Sequence, residues 1–337
     1  MEHSSIPLEV ILEITGRCQL LCPYCTHQRT ADVPLKDIKE TLDEAAYLGI
    51  KVIRITGGEP LLHPDIQTIL NYAKSKKLTV ILNTAAENIT PELMKTIITN
   101  VDAILISLQG YNEKSHTSYT HSKSLFLDKI KNIFLLKAYL QTLWIATVIT
   151  PAIPQSFVKF LPLINKINPT AWILLRPIRA LNKDIKKMNL PFYRALTLKI
   201  MKARQKNINV FIANPIPMCI TGDLHVGKEA FLGARLDNGY ERIVRSAQGY
   251  FKPSYFLENN LGETIQTAWK HPFLRALNRS DYLHALCQKC PLLDTCRGGC
   301  RSMALHAFQT VFAPDPLFDP VIAQKALSKT YLGHSHP

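Results

Sequence analysis

The sequence predicts an α/β protein: a partial (β/α)6, TIM-like barrel followed by a smaller C-terminal domain. Three observations carry this. Strand-like and helix-like segments alternate six times before residue 176, and such alternation implies parallel strands joined by right-handed crossovers. A closed eight-fold barrel usually needs about 250 residues, so six repeats favour an open, incomplete barrel, although periodicity alone also admits a doubly wound sheet. After Lys206 the pattern changes, and four cysteines crowd into the stretch from Cys287 to Cys300.

Taken in order, residues 8–15 form a β-rich run that ends at a cysteine loop. Residues 34–48 place Leu35, Ile38, Leu42, Ala45 and Ala46 at helical spacing. A strand over 51–56 closes on Gly57-Gly58-Glu59-Pro60. Helices are expected over 65–76, 91–98, 126–140 and 155–167, alternating with strands over 78–83, 103–108, 143–150 and 171–175. These strands read as nearly continuous apolar runs, as expected when both faces are covered. A further strand is expected over 207–213, mixed turns over 220–260 and a helix over 263–277. Pro314, Pro316 and Pro320 suggest an extended tail. The expected units are a barrel over 6–206, a second domain over 207–312 and a tail over 313–337.

Composition narrows the class. Of 337 residues, 47% are hydrophobic and 20% charged, which excludes a disordered chain and allows a sizeable core. No apolar run approaches the ~18–20 residues of a membrane span, and the first residues lack a secretory pattern, so a cytoplasmic protein is expected. The formal charge of +14 favours anionic partners. It is concentrated between Arg176 and Lys206, where ten cationic side chains face Asp184 alone. That stretch reads as a solvated helical face or as a patch turned toward substrate or RNA.

The eight cysteines fall in tight groups: Cys18, Cys22 and Cys25; Cys287, Cys290, Cys296 and Cys300; and Cys219 by itself. Without a secretory signal, such clusters read as metal or redox ligands rather than disulfides. Three cysteines past the first strand gather three thiolates in one small volume. A [4Fe–4S] cluster so held keeps one iron open, able to chelate an amine and a carboxylate; a zinc knuckle lacking one ligand is the plainer alternative. Gly57 to Pro60 end the next strand, on the same rim, because barrel active sites lie at the C-terminal ends of strands. The glycines permit close backbone approach, and Glu59 can accept a hydrogen bond from an ammonium group.

Cys18-Gln-Leu-Leu-Cys22-Pro-Tyr-Cys25, followed by Ile55-Thr56-Gly57-Gly58-Glu59-Pro60-Leu61, resembles the radical S-adenosylmethionine (radical SAM) superfamily. The resemblance covers roughly residues 6–205. It implies a SAM-binding [4Fe–4S] cluster on Cys18, Cys22 and Cys25, whose open iron takes the methionine end of S-adenosyl-L-methionine. Reductive cleavage would then give a 5′-deoxyadenosyl radical that abstracts hydrogen from substrate. It also implies a cofactor-binding set of Tyr24 near the adenine, Gly57, Gly58, Glu59 and Pro60 as the methionine-binding turn, Ser107 near the ribose or carboxylate, and Asn83. Where relatives often read Ser-Leu-Asp-Gly, this chain has Ser107-Leu108-Gln109-Gly110, so a role for that aspartate does not transfer.

Beside such a barrel, Cys287-x2-Cys290-x5-Cys296-x3-Cys300 resembles the SPASM/twitch auxiliary-cluster domains, which often hold two further [4Fe–4S] clusters. Two departures are visible: Ser254 stands where the Gly-x4-Cys element has its cysteine, and Phe318 where the Asp-Pro-x-Cys element does. Each removes one ligand, so one auxiliary cluster is expected, on Cys287, Cys290 and Cys296 with Cys300 or Cys219 as the fourth. Cys219 is alternatively a buried small residue or a thiol that donates hydrogen to a substrate radical.

His27, Trp172, Arg176 and Arg179 are weaker candidates for contact with the cluster loop or an anionic substrate, and Glu13 and Arg54 are expected to pair inside the barrel. The resemblance implies a cytoplasmic oxidoreductase-type enzyme that modifies a ribosomally made peptide, with electrons from a flavodoxin or ferredoxin. Its alternative substrate is a small anionic metabolite such as a nucleotide, sugar derivative or tetrapyrrole. A remote alternative is a zinc-stabilised nucleic-acid-binding protein, which leaves the first cysteine triplet, the glycine turn and the β–α repeats unexplained. Membrane partners are not expected.

Overall fold

The computed structural model describes residues 4–25, 30–121, 125–178, 187–235, 237 and 239–332. Six β–α units open the chain: β1 (Glu9–Glu13), α1 (Leu35–Tyr47), β2 (Val52–Thr56), α2 (Ile66–Ser75), β3 (Thr79–Thr84), α3 (Pro91–Asn100) and β4 (Ala103–Ser107) come first. α4 (Glu113–Thr120), α5 (Phe126–Tyr139), β5 (Thr142–Val148), α6 (Ile153–Ile167) and β6 (Ala171–Leu175) complete them. α7 (Leu190–Arg204), β7 (Val210–Ala213), α8 (Leu224–Ala230), β8 (Arg242–Arg245) and β9 (Phe251–Lys252) follow. The remainder is helical: α9 (Ile265–Trp269), α10 (Pro272–Asn278), α11 (Ala285–Gln288), α12 (Leu293–Cys296), α13 (Arg301–Phe308) and α14 (Pro320–Leu332).

The strands form one sheet in the order β7-β6-β5-β4-β3-β2-β1-β8-β9. Every neighbouring pair is parallel except β8 with β9. This is the open, partial-barrel α/β core, with C-terminal helices added to it.

Strand alternation sorts the side chains. Val10, Leu12, Ile53, Ile55, Val80, Leu82, Ile104 and Ile106 pack outward beneath the helices in the main core. α1, for example, covers that face with Ile38, Leu42 and Ala45. The opposite face carries a smaller apolar cluster of Ala171, Ile173 and Ala213 with Leu105 and Trp144, and beside it Glu9, Glu13 and Arg54, all buried. A charged group there needs a partner. Arg54 Nε donates to Glu9 Oε1 at 2.6 Å, and its Nη1 donates to Asn83 Oδ1 at 3.1 Å. Glu13 meets Lys252 Nζ at 3.2 Å. The expected Glu13–Arg54 pair is therefore replaced by two pairs: Arg54, level with Ile11 and so equally placed between the two glutamates, takes Glu9, and Glu13 takes Lys252 from β9.

The sheet runs through the boundary expected near 207, since β7 pairs with β6 and β8 returns to pair with β1. The helix expected over 263–277 is two helices, because the residue before a proline avoids helical backbone: His271 is extended at φ −61, ψ 134, and Pro272 starts α10. The tail is not wholly extended. Pro320 opens α14 instead of preventing it, since proline suits the first helical position.

Candidate active site

The loops after β1, β2, β3 and β4 meet on one rim. Gly58 N donates to Thr15 O and Glu59 N to Arg17 O, both at 2.7 Å, so the glycine turn is bonded to the backbone of the cysteine loop. Gly57 sits at φ +140, and a Cβ there would collide with the Thr15 carbonyl oxygen. The close approach the glycines permit is thus, first, to the cysteine loop itself.

Cys18, Cys22 and Cys25 stand at this rim, none of them in a disulfide. Burial, and then the charge of Glu59 and of the two neighbouring thiols, pushes Cys18 up to about 11. Burial also raises Cys22, and raises the Tyr24 phenol well above its usual value with the help of the adjoining Cys22.

Two buried glutamates support the rim differently. Glu59 Oε1 accepts from Thr84 Oγ1 at 2.6 Å and Leu61 N at 3.1 Å, while Oε2 accepts from Ala85 N at 2.7 Å. With neutral donors around it, burial still raises its pKa. Glu87 lies 3.1 Å from Lys129 Nζ and 3.5 Å from His116 Nε2, and Gln19 of the cysteine loop donates to it at 3.3 Å. Burial opposes ionisation there too, but His116, Lys129 and Gln19 outweigh it and draw the carboxyl down to about 2. Lys129 is fully buried, and its ammonium also donates to Ser107 O at 2.9 Å. Glu87, His116 and Lys129 escaped the sequence reading. A lysine at an apolar helix position, between Asn132 and Phe126 on the buried side of α5, was the signal available.

From this rim a cavity opens between the sheet and the C-terminal segment, with Tyr24, Cys25, Gly57, Lys252, Tyr255 and Phe256 in its wall. Its charged lining residues among those described are Glu13, Arg176, Lys252 and Glu258. Lys252 stands between Glu13 at 3.2 Å and Glu258 at 3.4 Å. Arg176 is committed elsewhere: its Nη1 and Nη2 donate to Asp315 at 2.7 and 3.0 Å, and Nη1 donates to Pro215 O at 2.6 Å. Trp172 is also removed from any ligand role, being fully buried against Phe157 and Phe160 with its Nε1 bonded to Thr147. His27 and Arg179 lie outside the described residues.

The C-terminal cysteines divide. Cys219, Cys287, Cys290 and Cys296 line one small cavity. Cys300 does not join them; it is fully buried with Ile178 and Met303, and its N–H donates to Asp315 at 2.8 Å. Of the two cysteines expected as alternatives for the fourth position, Cys219 lines this cavity, whereas Cys300 caps α13 and has Asp237, Arg176 and Asp315 as its charged neighbours. Among the described residues no three His, Cys, Asp or Glu side chains converge on a single metal ion. No helix among them is long and apolar enough to cross a membrane.

Residues 12–157 match the Radical SAM superfamily, and the chain contains the catalytic domain of that superfamily. The zinc-stabilised nucleic-acid reading is thereby set aside. An AdoMet-dependent heme synthase of Methanosarcina barkeri is 28% identical over 140 residues, 40% of this chain and 40% of that protein. The antilisterial bacteriocin subtilosin biosynthesis protein AlbA of Bacillus subtilis is 33% identical over 138 residues, 39% of this chain and 31% of AlbA. An AdoMet-dependent heme synthase of Nitratidesulfovibrio vulgaris aligns almost throughout, at 23% identity over 331 residues and 90% of each chain. The alignments to the first curated relatives span 40% of their length or less.

Among solved structures, Streptococcus suis SuiB bound to S-adenosylmethionine superposes with a TM-score of 0.74 at 18% identity, covering 95% of this chain and 78% of SuiB. Native anSMEcpe with bound AdoMet and Cp18Cys peptide gives 0.74 at 15% identity, covering 96% and 97%. These share the fold, C-terminal extension included.

Proposed function

We propose that the chain is a radical SAM enzyme that modifies a ribosomally made peptide. The observation that carries this is the meeting, on one strand rim, of three cysteine thiols and the glycine turn beside a cavity, with the buried Glu87–Lys129 pair bonded to the cysteine loop. The thiols fit a cluster: they influence one another's charge, and Cys25 borders the cavity. Bound there and reduced, a [4Fe–4S] cluster with S-adenosylmethionine supplies a 5′-deoxyadenosyl radical for hydrogen abstraction.

The chain's own residues would orient the cofactor. Cys18, Cys22 and Cys25 ligate iron, and Gly57 to Pro60 offer backbone to the methionine ammonium while Glu59 holds that turn to β3. Lys129, paired with Glu87 and bonded to the Ser107 carbonyl, braces the cysteine loop and the end of β4 behind that turn. Tyr24, Asn83 and Ser107 serve the adenosine end. The segment bearing Lys252, Tyr255 and Phe256 walls the cavity against water. Cys287, Cys290 and Cys296 hold one auxiliary cluster, and a flavodoxin or ferredoxin supplies electrons.

For the substrate, AlbA is named for bacteriocin biosynthesis, several relatives are PqqA peptide cyclases, and SuiB has been seen with its precursor peptide SuiA. The near end-to-end alignment with a heme synthase favours a second reading, a tetrapyrrole-like anionic substrate. Against it, both cations among the described cavity residues are engaged: Lys252 by two carboxylates, Arg176 by Asp315.

The test is anaerobic incubation of the reconstituted protein with S-adenosylmethionine, reductant and either a precursor peptide encoded beside its gene or an iron coproporphyrin. Peptide-dependent 5′-deoxyadenosine, absent in C18A, supports the reading. Turnover of the porphyrin alone moves the assignment to the second, and no 5′-deoxyadenosine under any condition sinks both.

A further inference from the structure

We infer that Cys219 is the fourth thiolate of the auxiliary cluster, taking the place that Phe318 denies to a late cysteine, and that Cys300 is not a ligand. This deepens the auxiliary-cluster reading above and rests on it. Three structural observations support it.

First, Cys219 and Phe318 belong to the same cavity wall as Cys287, Cys290 and Cys296. The position at which related domains carry a cysteine has therefore kept its place beside the site while losing its sulfur. A thiol from a different element, the 3₁₀ turn Met218–Thr221, faces the same space. Second, that turn is fastened to the cysteine-rich segment. Met218 N donates to Cys296 Sγ at 3.3 Å, and Ala234 N donates to Thr295 O at 2.8 Å. Close approach is built in, since a Cβ on Gly227 would strike the Met218 carbonyl and one on Gly233 the Thr295 carbonyl. The remaining wall is apolar, with Leu224, Leu286, Leu292 and Leu327. All four thiols are free, so no disulfide accounts for their convergence. Thiols around a four-iron cube stand farther apart than ligands on one ion, which reconciles four sulfurs about a void with the lack of a single-ion site.

Third, the surroundings of Cys300 are already complete. Its Sγ accepts from Met303 N at 3.4 Å, and its own N–H is taken by Asp315. The Arg176–Asp315 ion pair and Asp237 are its charged neighbours. Phe256, which packs against Cys300, follows the buried Ser254, whose hydroxyl accepts from Phe256 N. An ion pair and a serine turn thus stand where a second auxiliary cluster would need thiolates. The two ligand losses are resolved differently: one site is refilled by Cys219 and the other is filled by protein.

Four thiolates leave no iron open, so the auxiliary cluster would serve electron transfer or structure rather than bind substrate. Each thiol releases its proton on ligation.

The experiment is iron and sulfide content after anaerobic reconstitution, with EPR of the reduced protein and a thermal melt. It compares the wild type with C219A, C219S, C300A and the exchange C219A/F318C. About 8 irons are expected in the wild type and in C300A, about 4 in C219A and C219S with one EPR signal lost, and about 8 again in the exchange variant. A folded C219A or C219S that keeps about 8 irons, or a folded C300A that falls to about 4, overturns the ligand assignment while leaving the auxiliary cluster standing. A wild type with only about 4 irons overturns the auxiliary cluster itself.

Discussion

Two buried glutamates on one rim ionise in opposite senses because of the partners they were given. Glu59 receives neutral donors from Thr84, Ala85 and Leu61, and burial wins. Glu87 is met by His116, Lys129 and Gln19, and together they reverse the balance. Its folded pKa of about 2 lies below the ordinary 4.5. The stability this confers is fully present above pH 4.5 and is lost as pH falls toward 2, amounting to on the order of 3 kcal/mol. Urea denaturation of the apo protein across that window should show the wild type losing stability steeply and Glu87→Gln, already destabilised at neutral pH because Lys129 is left without its counter-charge, changing far less. An equal pH slope in both would remove Glu87 from the account. The raised thiol of Cys18, at about 11, points to a second outcome. Cluster assembly must drive off that proton, so the rate of iron uptake should climb between pH 7 and pH 9, and a flat rate would speak against a protonated starting thiol.

At the scale of elements, the glycine turn is the joint between β2 and the cysteine loop. Gly57→Ala would place a β-carbon in a backbone region costing about 1–3 kcal/mol and against Thr15. We expect the variant to fold, with reduced iron on the first cluster and weaker S-adenosylmethionine binding by calorimetry; wild-type values for both would mean the turn has slack. Much of this architecture was legible beforehand. Alternating apolar runs separated by amphipathic helices specify parallel strands, and motifs at strand ends specify the rim. What could not be read is what depends on distant partners. Glu13 pairs with Lys252 and Glu9 with Arg54 because β1, β2 and β9 meet only in the folded sheet. Spacing grouped Cys287, Cys290 and Cys296 and left the choice between Cys219 and Cys300 open; only the fold shows that Cys219 lines the same cavity from another element. Local chemistry was also underweighted: Pro272 and Pro320 start helices where the pattern suggested continuity or extension.

Across the whole molecule, Arg176 and Asp315 tie the end of β6 to the C-terminal segment as a fully buried bidentate pair. Removing one partner of such a pair strands the other charge and costs about 3–5 kcal/mol. Asp315→Asn should therefore lower the melting temperature by several degrees, while Arg176→Met with Asp315→Leu should recover most of it; equal losses in the single and double variants would show that packing, not charge, is responsible. The sheet has a similar long-range closure. β1 is hydrogen-bonded on one side to β2, in register from Glu9 with Val52, and on the other to β8, with Glu9 beside Arg242. During synthesis the first strand therefore waits, one edge bare, until the ribosome has released more than two hundred further residues. Contacts this distant in sequence form slowly, and an uncovered edge invites pairing with other chains. A fragment ending at residue 206 should accordingly associate through that edge. The same order of emergence means that the loop after β1, with its three cysteines, is anchored on the β2 side long before β8 closes the other side of the strand.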